Sequence, residues 1–285
     1  MPIREVQPSD LAARAAELAG WCDLDPPTPA DIRFSLDRDT EQTGLAIDDA
    51  GAAVVVPRFG ASSVKFLAVA PAARRAGLGA VLLDAIEQRA RDAGHRAVIF
   101  GLSAPGYLWP GVEIGQTGLE SMLAGRGYTT VMWAVNQTVR VPGALNRGEA
   151  RPAEPDELGA VIAFCRDHYP NWEAEAAWSF VRGIEEIGSP RCAVWVEGGD
   201  LLGFACWSVT RQGWFGPMAT RPDLREGKNR RGVGTGTLAV ALAGLAAEGR
   251  EQADVSWVGP ERFYARVAGA RTYRAFRVFS RAVGQ

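Results

Sequence analysis

Apolar and polar positions follow two patterns along the chain, one typical of strands and one typical of helices. Both patterns occur in each half. The runs "VKFLAVA" (64–70) and "GWFGPMAT" (213–220) are dense in apolar residues over the length of one strand. Each is followed by a proline, basic residues and a glycine pair, and then by an Ala-rich stretch of helical character. Because strands and helices mix within each half, the pattern predicts an α/β or α+β sheet rather than a helical bundle.

The order of these elements repeats from end to end. "IREVQPSDL" (3–11) has a counterpart in "ARPAEPDEL" (150–158), and "LESMLAGRGYTTVMWAVNQTVRV" (119–141) has one in "ERFYARVAGARTYRAFRVFSR" (261–281). A repeat of this length predicts two tandem domains. We place them at residues 1–146 and 147–285, joined by the Pro/Gly-bearing stretch "VPGALNRGEARP" (141–152).

Composition narrows the class of protein. The chain has 285 residues, of which 47% are hydrophobic and 22% charged, as expected for a globular protein of about two domains. A formal net charge of -2 supplies no overall positive field for a nucleic-acid backbone, so we expect no nucleic-acid partner. No apolar run approaches the ~20 residues that a membrane span needs, and the N-terminus lacks a signal-peptide pattern, so we expect a cytoplasmic protein with no membrane partner.

Metal and disulfide chemistry are disfavoured. The 4 cysteines form no CxxC pair, and the 2 histidines, His95 and His168, are far apart in sequence. We therefore predict no metal site and interpret the cysteines as small core residues.

The stretch "RRAGLGAVLL" (74–83) places two arginines and two glycines at the start of a predicted helix. Glycines let backbone approach a ligand, and the first turn of a helix has unpaired N–H groups that suit an anion. Alternatively, Gly77 and Gly79 only turn the chain into an amphipathic helix whose start the arginines solvate. The second copy, "RRGVGTGT" (230–237), favours an anion site, and it lacks the G-K-[ST] ending of a nucleotide-binding P-loop.

These residues resemble a known family. "VAPAARRAGLG" (69–79) is similar throughout to the V-x-P-x-x-R-x-x-G-x-G/A motif of the GCN5-related N-acetyltransferases (GNAT), and "FYARVAGA" (263–270) is similar to their F-Y-x-K-x-G-F signature. Both motifs recur in order in each half, so the resemblance covers essentially the whole chain. It implies two GNAT acyl-CoA N-acyltransferase domains, each a mixed, mostly antiparallel twisted sheet flanked by helices.

The resemblance also implies acetyl-CoA as cofactor. The glycine turn would direct N–H groups at the coenzyme A pyrophosphate, and the preceding strand, bulged in this family, would splay from its neighbour to admit the pantetheine arm. The cofactor-binding residues implied in the first half are Val69, Arg74, Arg75, Ala76, Gly77, Leu78, Gly79 and Ala80. Those in the second half are Met218, Thr220, Arg225, Lys228, Arg230, Arg231, Gly232, Val233, Gly234 and Thr235.

The two halves are not equal. In the first half Leu123 stands at the position of the family's tyrosine, whereas the second half has Tyr264 but a turn that is four residues longer, with Asn229 in place of the motif arginine. By the resemblance, Tyr264 would protonate the leaving thiolate and a strand N–H near Thr220 or Val69 would stabilise the oxyanion. The alternative for Tyr264 is packing beside Phe263.

Other candidate residues remain open. Glu113, Glu173 and Glu261 lie in segments that could border the site, but surface glutamate is the default interpretation of each, so we assign no general base. Two aromatic segments are candidates for a substrate pocket or, equally, for core packing. Their members are Tyr107, Trp109, Trp172 and Trp178.

The function that follows from the resemblance is acetyl transfer to the amine of a small molecule. The amine would attack the thioester directly within a ternary complex, which supplies the entropic advantage of holding both reactants together. The alternative is a non-catalytic acyl-CoA sensor or interaction module, because the complete turn and the tyrosine lie in different halves. We expect a monomer or a homodimer.

Overall fold

The computed structural model describes residues 2–141, 145–224 and 232–284, which form two compact units. Unit 1 comprises Met1–Val135 together with Arg274–Gln285, and unit 2 comprises Asn136–Tyr273. These units differ from the predicted halves, 1–146 and 147–285. The strand at 129–140 begins in unit 1 and ends in unit 2, and the strand at 271–282 begins in unit 2 and ends in unit 1. As two stretches of repeated sequence, the halves remain a prediction.

Unit 1 consists of a short first strand, three helices, and a sheet with a long helix on one face. Its helices are α1 (Pro8–Ala13), α2 (Ala15–Gly20), α3 (Pro29–Arg38), α4 (Leu78–Asp92) and α5 (Thr117–Gly125). Its strands are β1 (Arg4–Val6), β2 (Thr43–Ile47), β3 (Gly51–Arg58), β4 (Ala61–Val69), β5 (Ala97–Phe100), β6 (Val112–Glu113) and the first part of β7 (Thr129–Arg140).

The sheet of unit 1 is mostly antiparallel. Strands β1 to β4 pair antiparallel in chain order, β4 and β5 pair in parallel, and β5 pairs antiparallel with residues of the last strand, 279–282. Apolar clusters cover both faces: α4 and α5 pack on one, and α1 to α3 pack on the other. The first six residues of β3 are all buried, which explains why this strand has a continuous apolar run instead of an alternating one.

Unit 2 repeats this order of elements. Its helices are α6 (Leu158–His168), α7 (Glu173–Ile187), α8 (Val233–Ala247) and α9 (Glu261–Ala268). Its strands are β8 (Arg151–Pro152), β9 (Cys192–Glu197), β10 (Asp200–Trp207), β11 (Trp214–Thr220), β12 (Gln252–Val255), the end of β7 and the start of β13 (Arg271–Ala282). Strands β8 to β11 pair antiparallel, β11 and β12 in parallel, and β12 antiparallel with residues 137–140 of β7.

The predicted fold class is confirmed: each unit contains a mixed, mostly antiparallel sheet with flanking helices. Cys165, Cys192 and Cys206 are buried as expected, and Cys22 is half-buried. In the part of the chain that the structure describes, no helix is both long and apolar enough to cross a membrane.

Helix α8 lies unusually close to the sheet of unit 2 because of its glycines. A Cβ atom on Gly244 would lie 2.4 Å from Cζ2 of Trp207, whose indole Nε1 donates to Glu248 at 2.9 Å and is thereby held in place. A Cβ atom on Gly236 would lie 2.4 Å from the carbonyl oxygen of Arg147. The apolar sequence of α8 therefore packs along its backbone as well as through its side chains.

We predict that Gly244→Ala destabilises the protein even though alanine is the better helix former. The methyl group must displace the Trp207 ring, which costs about 1–3 kcal/mol against a propensity gain of about 1 kcal/mol. Urea unfolding followed by circular dichroism measures the difference. Gly159→Ala, in exposed surroundings on α6 with no atom within 4 Å of the new Cβ, is the control that should show no loss. Equal stability of Gly244→Ala and wild type would contradict the close packing.

Candidate functional site

In unit 1, strand β4 separates from β5 directly after a bulge. Val54 and Val55 of β3 face Phe66 and Val64, so Lys65 is the extra, bulged residue of β4. The parallel pairing of β4 with β5 ends at Val64, opposite Phe100. The rest of β4 therefore has a partner on one side alone, as the resemblance predicts.

The free edge of β4 presents backbone groups to the gap. The N–H of Ala70 donates to the carbonyl of Ala50 next to β3, so residue 70 faces β3. Because orientation alternates along a strand, the N–H and C=O groups of Leu67 and Val69 face away from β3 and into the gap. The carbonyl of Val69 accepts from Arg74 Nε at 3.1 Å, which agrees with this direction. An extended, amide-bearing ligand could pair with this edge as an added strand.

The turn after β4 is shaped to bind an anion. Arg75 and Gly77 both have left-handed backbones, with φ of 66° and 82°, and α4 begins at Leu78. Within the described ranges, the N–H groups of residues 75–79 donate to no backbone acceptor, whereas those of residues 80 and 81 bond to the carbonyl of Gly77. Left-handed residues that alternate with others along a turn direct successive N–H groups into one anion-binding concavity. The dipole of α4 adds positive potential at the same place. The left-handed arginine costs roughly 1–2 kcal/mol, which is typical of a functional turn.

Of the two arginines in this turn, Arg74 forms hydrogen bonds within the protein. Besides the Val69 carbonyl, its guanidinium donates to Asp23 Oδ2 at 2.6 Å and to the carbonyl of Trp21 at 2.7 Å. It therefore ties the segment after α2 to the end of β4. Arg75 is exposed and has no ion pair among the described residues. Pyrophosphate binding by Arg74 and Arg75 remains a prediction, and the geometry favours Arg75.

A cavity of about 560 Å³ joins the gap and the turn within unit 1. Seven of the eight cofactor residues predicted in this half line it, and Ala76 does not. The seven are Val69, Arg74, Arg75, Gly77, Leu78, Gly79 and Ala80. Trp21, Phe66, Trp109 and Glu113 contribute to the remaining wall. A volume in this range is ordinary for a small-molecule or cofactor site.

Unit 2 has the same strand geometry. The pairing of β10 with β11 shifts register between Ala205 and Trp207, next to Gly216 and Pro217, and the parallel pairing of β11 with β12 ends at Phe215. The N–H of Arg221 donates to the carbonyl of Leu202, so the backbone groups of Met218 and Thr220 face the gap. Here Tyr169 Oη donates to the carbonyl of Thr220 at 2.8 Å, where unit 1 uses an arginine. Sequence reasoning missed Tyr169.

The second glycine turn is described in part. Arg225, Lys228, Asn229, Arg230 and Arg231 lie outside the described residues. Gly232 has a left-handed backbone with φ of 78° and α8 begins at Val233, as at the first turn. A Cβ atom on Gly234 would lie 3.5 Å from Thr220 Cγ2 and 3.5 Å from Phe263 Cζ, which places this turn beside the free edge of β11.

The neighbours of a Cβ atom placed on each turn glycine identify equivalent positions in the two units. A Cβ atom on Gly79 would lie 3.4 Å from Met122 Sδ and 4.0 Å from Val69 Cγ2, just as Gly234 faces Phe263 and Thr220. Met122 and Phe263 therefore correspond, and so do the residues that follow them, Leu123 and Tyr264. The predicted difference between the halves holds in three dimensions.

Tyr264 is a buried phenol. It is 5% exposed, and its ring makes edge-on contacts with Phe215, centroids 5.9 Å apart, and with Phe263 at 5.1 Å. Burial raises its pKa well above the usual value, so the phenol keeps its proton at neutral pH. The ring contacts support the packing interpretation, and the role of Tyr264 as a proton donor remains a prediction.

None of the three glutamates considered as a base has a free carboxylate. Glu113 makes a two-pronged ion pair with Arg274, at 2.7 and 2.6 Å. Glu173 accepts from Arg166 at 2.7 Å, and Glu261 accepts from Thr272 at 3.4 Å. The base therefore remains unassigned.

The predicted pocket aromatics differ in their positions. Trp109 lines the cavity of unit 1 and stacks on Phe66, with centroids 6.2 Å apart, whereas Tyr107 is buried and not among the lining residues. Trp172 and Trp178 pack against the apolar cluster under α6 and α7. Their place in a substrate pocket remains a prediction, with core packing the interpretation that the contacts favour.

Comparison with known proteins identifies the class of fold. A fungal multi-domain β-N-acetylglucosaminidase with a GCN5-related glucosamine N-acetyltransferase region matches with 17% identity and a TM-score of 0.71, covering 98% of this chain and 38% of the fungal one. A GCN5-related N-acetyltransferase from Sphaerobacter thermophilus matches with 19% identity and a TM-score of 0.67, covering 100% and 96% of the two chains. A tandem GNAT protein from the clavulanic acid biosynthesis pathway matches with 13% identity and a TM-score of 0.66, covering 100% and 99%. The fold is that of the tandem GNAT proteins.

Part of the sequence also matches a family model. Residues 12–105 match the model of the acetyltransferase (GNAT) family. This match covers about a third of the chain, whereas the full length has the tandem GNAT fold. A search of curated proteins found no match.

The raised pKa of Tyr264 predicts a loss of stability at high pH. Above about pH 10 the unfolded chain releases a phenolic proton that the folded chain keeps, so the free energy of unfolding falls as pH rises, by up to about 1.4 kcal/mol per pH unit for one group. Burial also raises the pKa of Tyr128, largely by the same cause.

Urea unfolding between pH 9 and 11 tests this. Tyr264→Phe should show a shallower fall than wild type while retaining the part due to Tyr128. Identical slopes would mean that Tyr264 titrates like a tyrosine in water.

Proposed function

We propose that the protein is an acetyl-CoA-dependent N-acetyltransferase that acts on the amine of a small molecule, and that unit 2 performs the transfer. The observation that carries this proposal is the equivalence of Tyr264 with Leu123. Each unit offers a free strand edge beside a glycine turn, and unit 2 adds a protonated phenol at the corresponding position. The match of residues 12–105 to the GNAT family model supports acyl transfer in general.

Acetyl-CoA fits the architecture that both units share. The turn at residues 75–79 would take the pyrophosphate on its N–H groups, and the edge of β4 would pair with the amides of the pantetheine arm. In unit 2, Gly232 to Thr235 and the edge at Met218 and Thr220 would do the same. When bound, this cofactor supplies the activated acetyl thioester.

The chain's own groups account for the remaining steps. In the transfer of the acetyl group from the thioester to the acceptor nitrogen, an N–H of Met218 or Thr220 that faces the gap would stabilise negative charge on the acyl oxygen. Tyr264 would give a proton to the leaving sulfur and regain one from solvent, which would also take up the proton that the amine loses. A phenol with a raised pKa is a weaker acid, but the thiolate meets it in the same apolar surroundings, which raise the thiol's pKa too.

A second candidate function is an acyl-CoA sensor. It is favoured by unit 1, which combines the cavity and the complete turn with leucine at the tyrosine position. In that case the protein would bind acetyl-CoA, and no amine in a broad panel would accelerate thiol release.

The first test is titration calorimetry of acetyl-CoA with two matched variants, Gly79→Glu and Gly234→Glu. Each adds bulk and negative charge beside the free strand edge of one unit, and in each the new Cβ has ordinary room. We expect two binding events in the wild type and one in each variant. Gly79→Gln and Gly234→Gln control for bulk without charge. Absence of binding in the wild type would refute the cofactor assignment.

The second test separates binding from chemistry. With an amine found in the panel, Tyr264→Phe should lower turnover by about 10²–10⁴-fold while acetyl-CoA affinity stays unchanged, because general acid catalysis contributes that much. Thiol release measures turnover. Gly234→Glu should abolish it and Gly79→Glu should not; the reverse result would place the chemistry in unit 1 and exclude the proton donor proposed here.

A further inference from the structure

Lys65, the bulged residue of β4, has an entirely buried side chain. Its Nζ lies 2.9 Å from Oδ2 of Asp39, the residue that ends α3, and the carboxylate's side chain is 4% exposed. The same oxygen of Asp39 accepts from Arg58 at 2.6 Å, and Arg58, at the end of β3, is also nearly buried. One carboxylate thus joins the bulge, the neighbouring strand and α3.

The two cations extend to the segment that forms one wall of the cavity. We call residues 101–111 the wall loop. Arg58 Nε donates to the carbonyl of Ala104 at 2.6 Å, and Lys65 Nζ reaches the carbonyl of Pro105 at 3.4 Å. Consecutive carbonyls of the wall loop are therefore held by side chains that share Asp39.

Two hydroxyl groups hold the wall loop on either side of this point. Ser35 on α3 donates to the carbonyl of Gly106 at 2.5 Å, and Ser63 on β4 donates to that of Gly101. Four backbone carbonyls of one loop thus accept from side chains of three other elements. A loop that makes its hydrogen bonds in this way has little freedom to move.

The wall loop contributes Gly101, Trp109 and Gly111 to the lining of the cavity. It follows β5 at the point where β4 and β5 part, and it carries Trp109, which stacks on Phe66 next to the bulge. Both rings line the cavity. The bulge that separates the strands and the wall that faces them are thus connected through the Lys65–Asp39 pair.

Unit 2 holds its corresponding segment differently. After β12, the N–H of Trp257 donates to Asn136 Oδ1 at 3.0 Å, and the bulge of β11 lies beside Gly216 and Pro217 rather than a lysine. The bulge of β11 thus carries no charged side chain, and the buried lysine is particular to the bulge of unit 1.

We propose that Asp39 is a positioning residue for the cavity of unit 1, which we call the acyl-CoA slot. It acts through Lys65 and Arg58 on the wall loop. The proposal rests on the proposed function in so far as the slot is taken to bind acetyl-CoA. Burying the charges of Asp39, Lys65 and Arg58 is costly unless all three are paired. Because only one arrangement of the bulge and the wall loop pairs them all, these contacts specify that arrangement. A slot prepared in advance binds its ligand without the cost of ordering the loop.

Hydrogen–deuterium exchange of the ligand-free protein tests the positioning directly. Lys65→Met removes one cation and leaves Asp39 paired with Arg58, so it should fold. We expect the amides of residues 101–111 to exchange faster while those of α8 do not change. Acrylamide quenching of Trp109, isolated by subtracting the Trp109→Phe signal, should increase. Asp39→Asn should show the same changes more strongly, and if it fails to fold, Lys65→Met decides.

Calorimetry tests the consequence for binding. Acetyl-CoA affinity at the unit 1 site, identified with Gly79→Glu, should fall about tenfold in Lys65→Met because the slot must be reordered. Arg89→Met, which removes an ion pair of α4 with Glu5, is the control that should keep wild-type exchange and affinity.

The possible failures are distinct. Unchanged exchange in residues 101–111 of Lys65→Met would overturn the proposal, whatever the protein binds. Faster exchange with wild-type affinity would also overturn it, because the loop would then not shape the slot. A wild type with no acetyl-CoA bound in unit 1 would refute the proposed function of that unit, while exchange would still judge the positioning of the loop.

Discussion

The parting of two parallel strands is the constraint on which both units depend. Backbone N–H and C=O groups without partners are expensive inside a protein, and a strand edge in the middle of a sheet exposes a row of them. Each unit accepts this cost where β4 leaves β5 and where β11 leaves β12. An extended, amide-bearing ligand satisfies such an edge, so the apparent defect of the sheet is the basis of its binding site.

The protein's own side chains satisfy part of each edge, and they do so differently. The last outward carbonyl of β4 accepts from Arg74, and that of β11 accepts from Tyr169. Arg74 also holds the segment at Trp21 and Asp23, so a residue of the glycine turn braces the entrance of the cavity. The two units have thus kept one backbone geometry and changed the side chains around it.

Much of this arrangement is predictable from the sequence because its signals are local. Glycine turns, a proline after an apolar run and the Leu123–Tyr264 difference all lie within short stretches. The exchange of strand ends between units was not predictable, because "TTVMWAVNQTVRV" and "RTYRAFRVFSRAV" have similar lengths and patterns and either could pair with β5 or β12. The contacts of Arg74 with Asp23 and of Lys65 with Asp39 join residues far apart in sequence, which no periodicity reveals.

The distribution of charge follows from the same constraint. A β-bulge frees one residue from the pairing pattern, and in unit 1 that residue is a lysine whose burial requires an anion. Asp39 supplies it from the end of α3, and because a carboxylate oxygen has more than one acceptor site, it takes Arg58 too. The bulge that separates β4 from β5 therefore places a buried lysine that needs the ionic contacts with Asp39. The same contacts hold the wall loop, so one local irregularity both separates the strands and fixes the loop beside them.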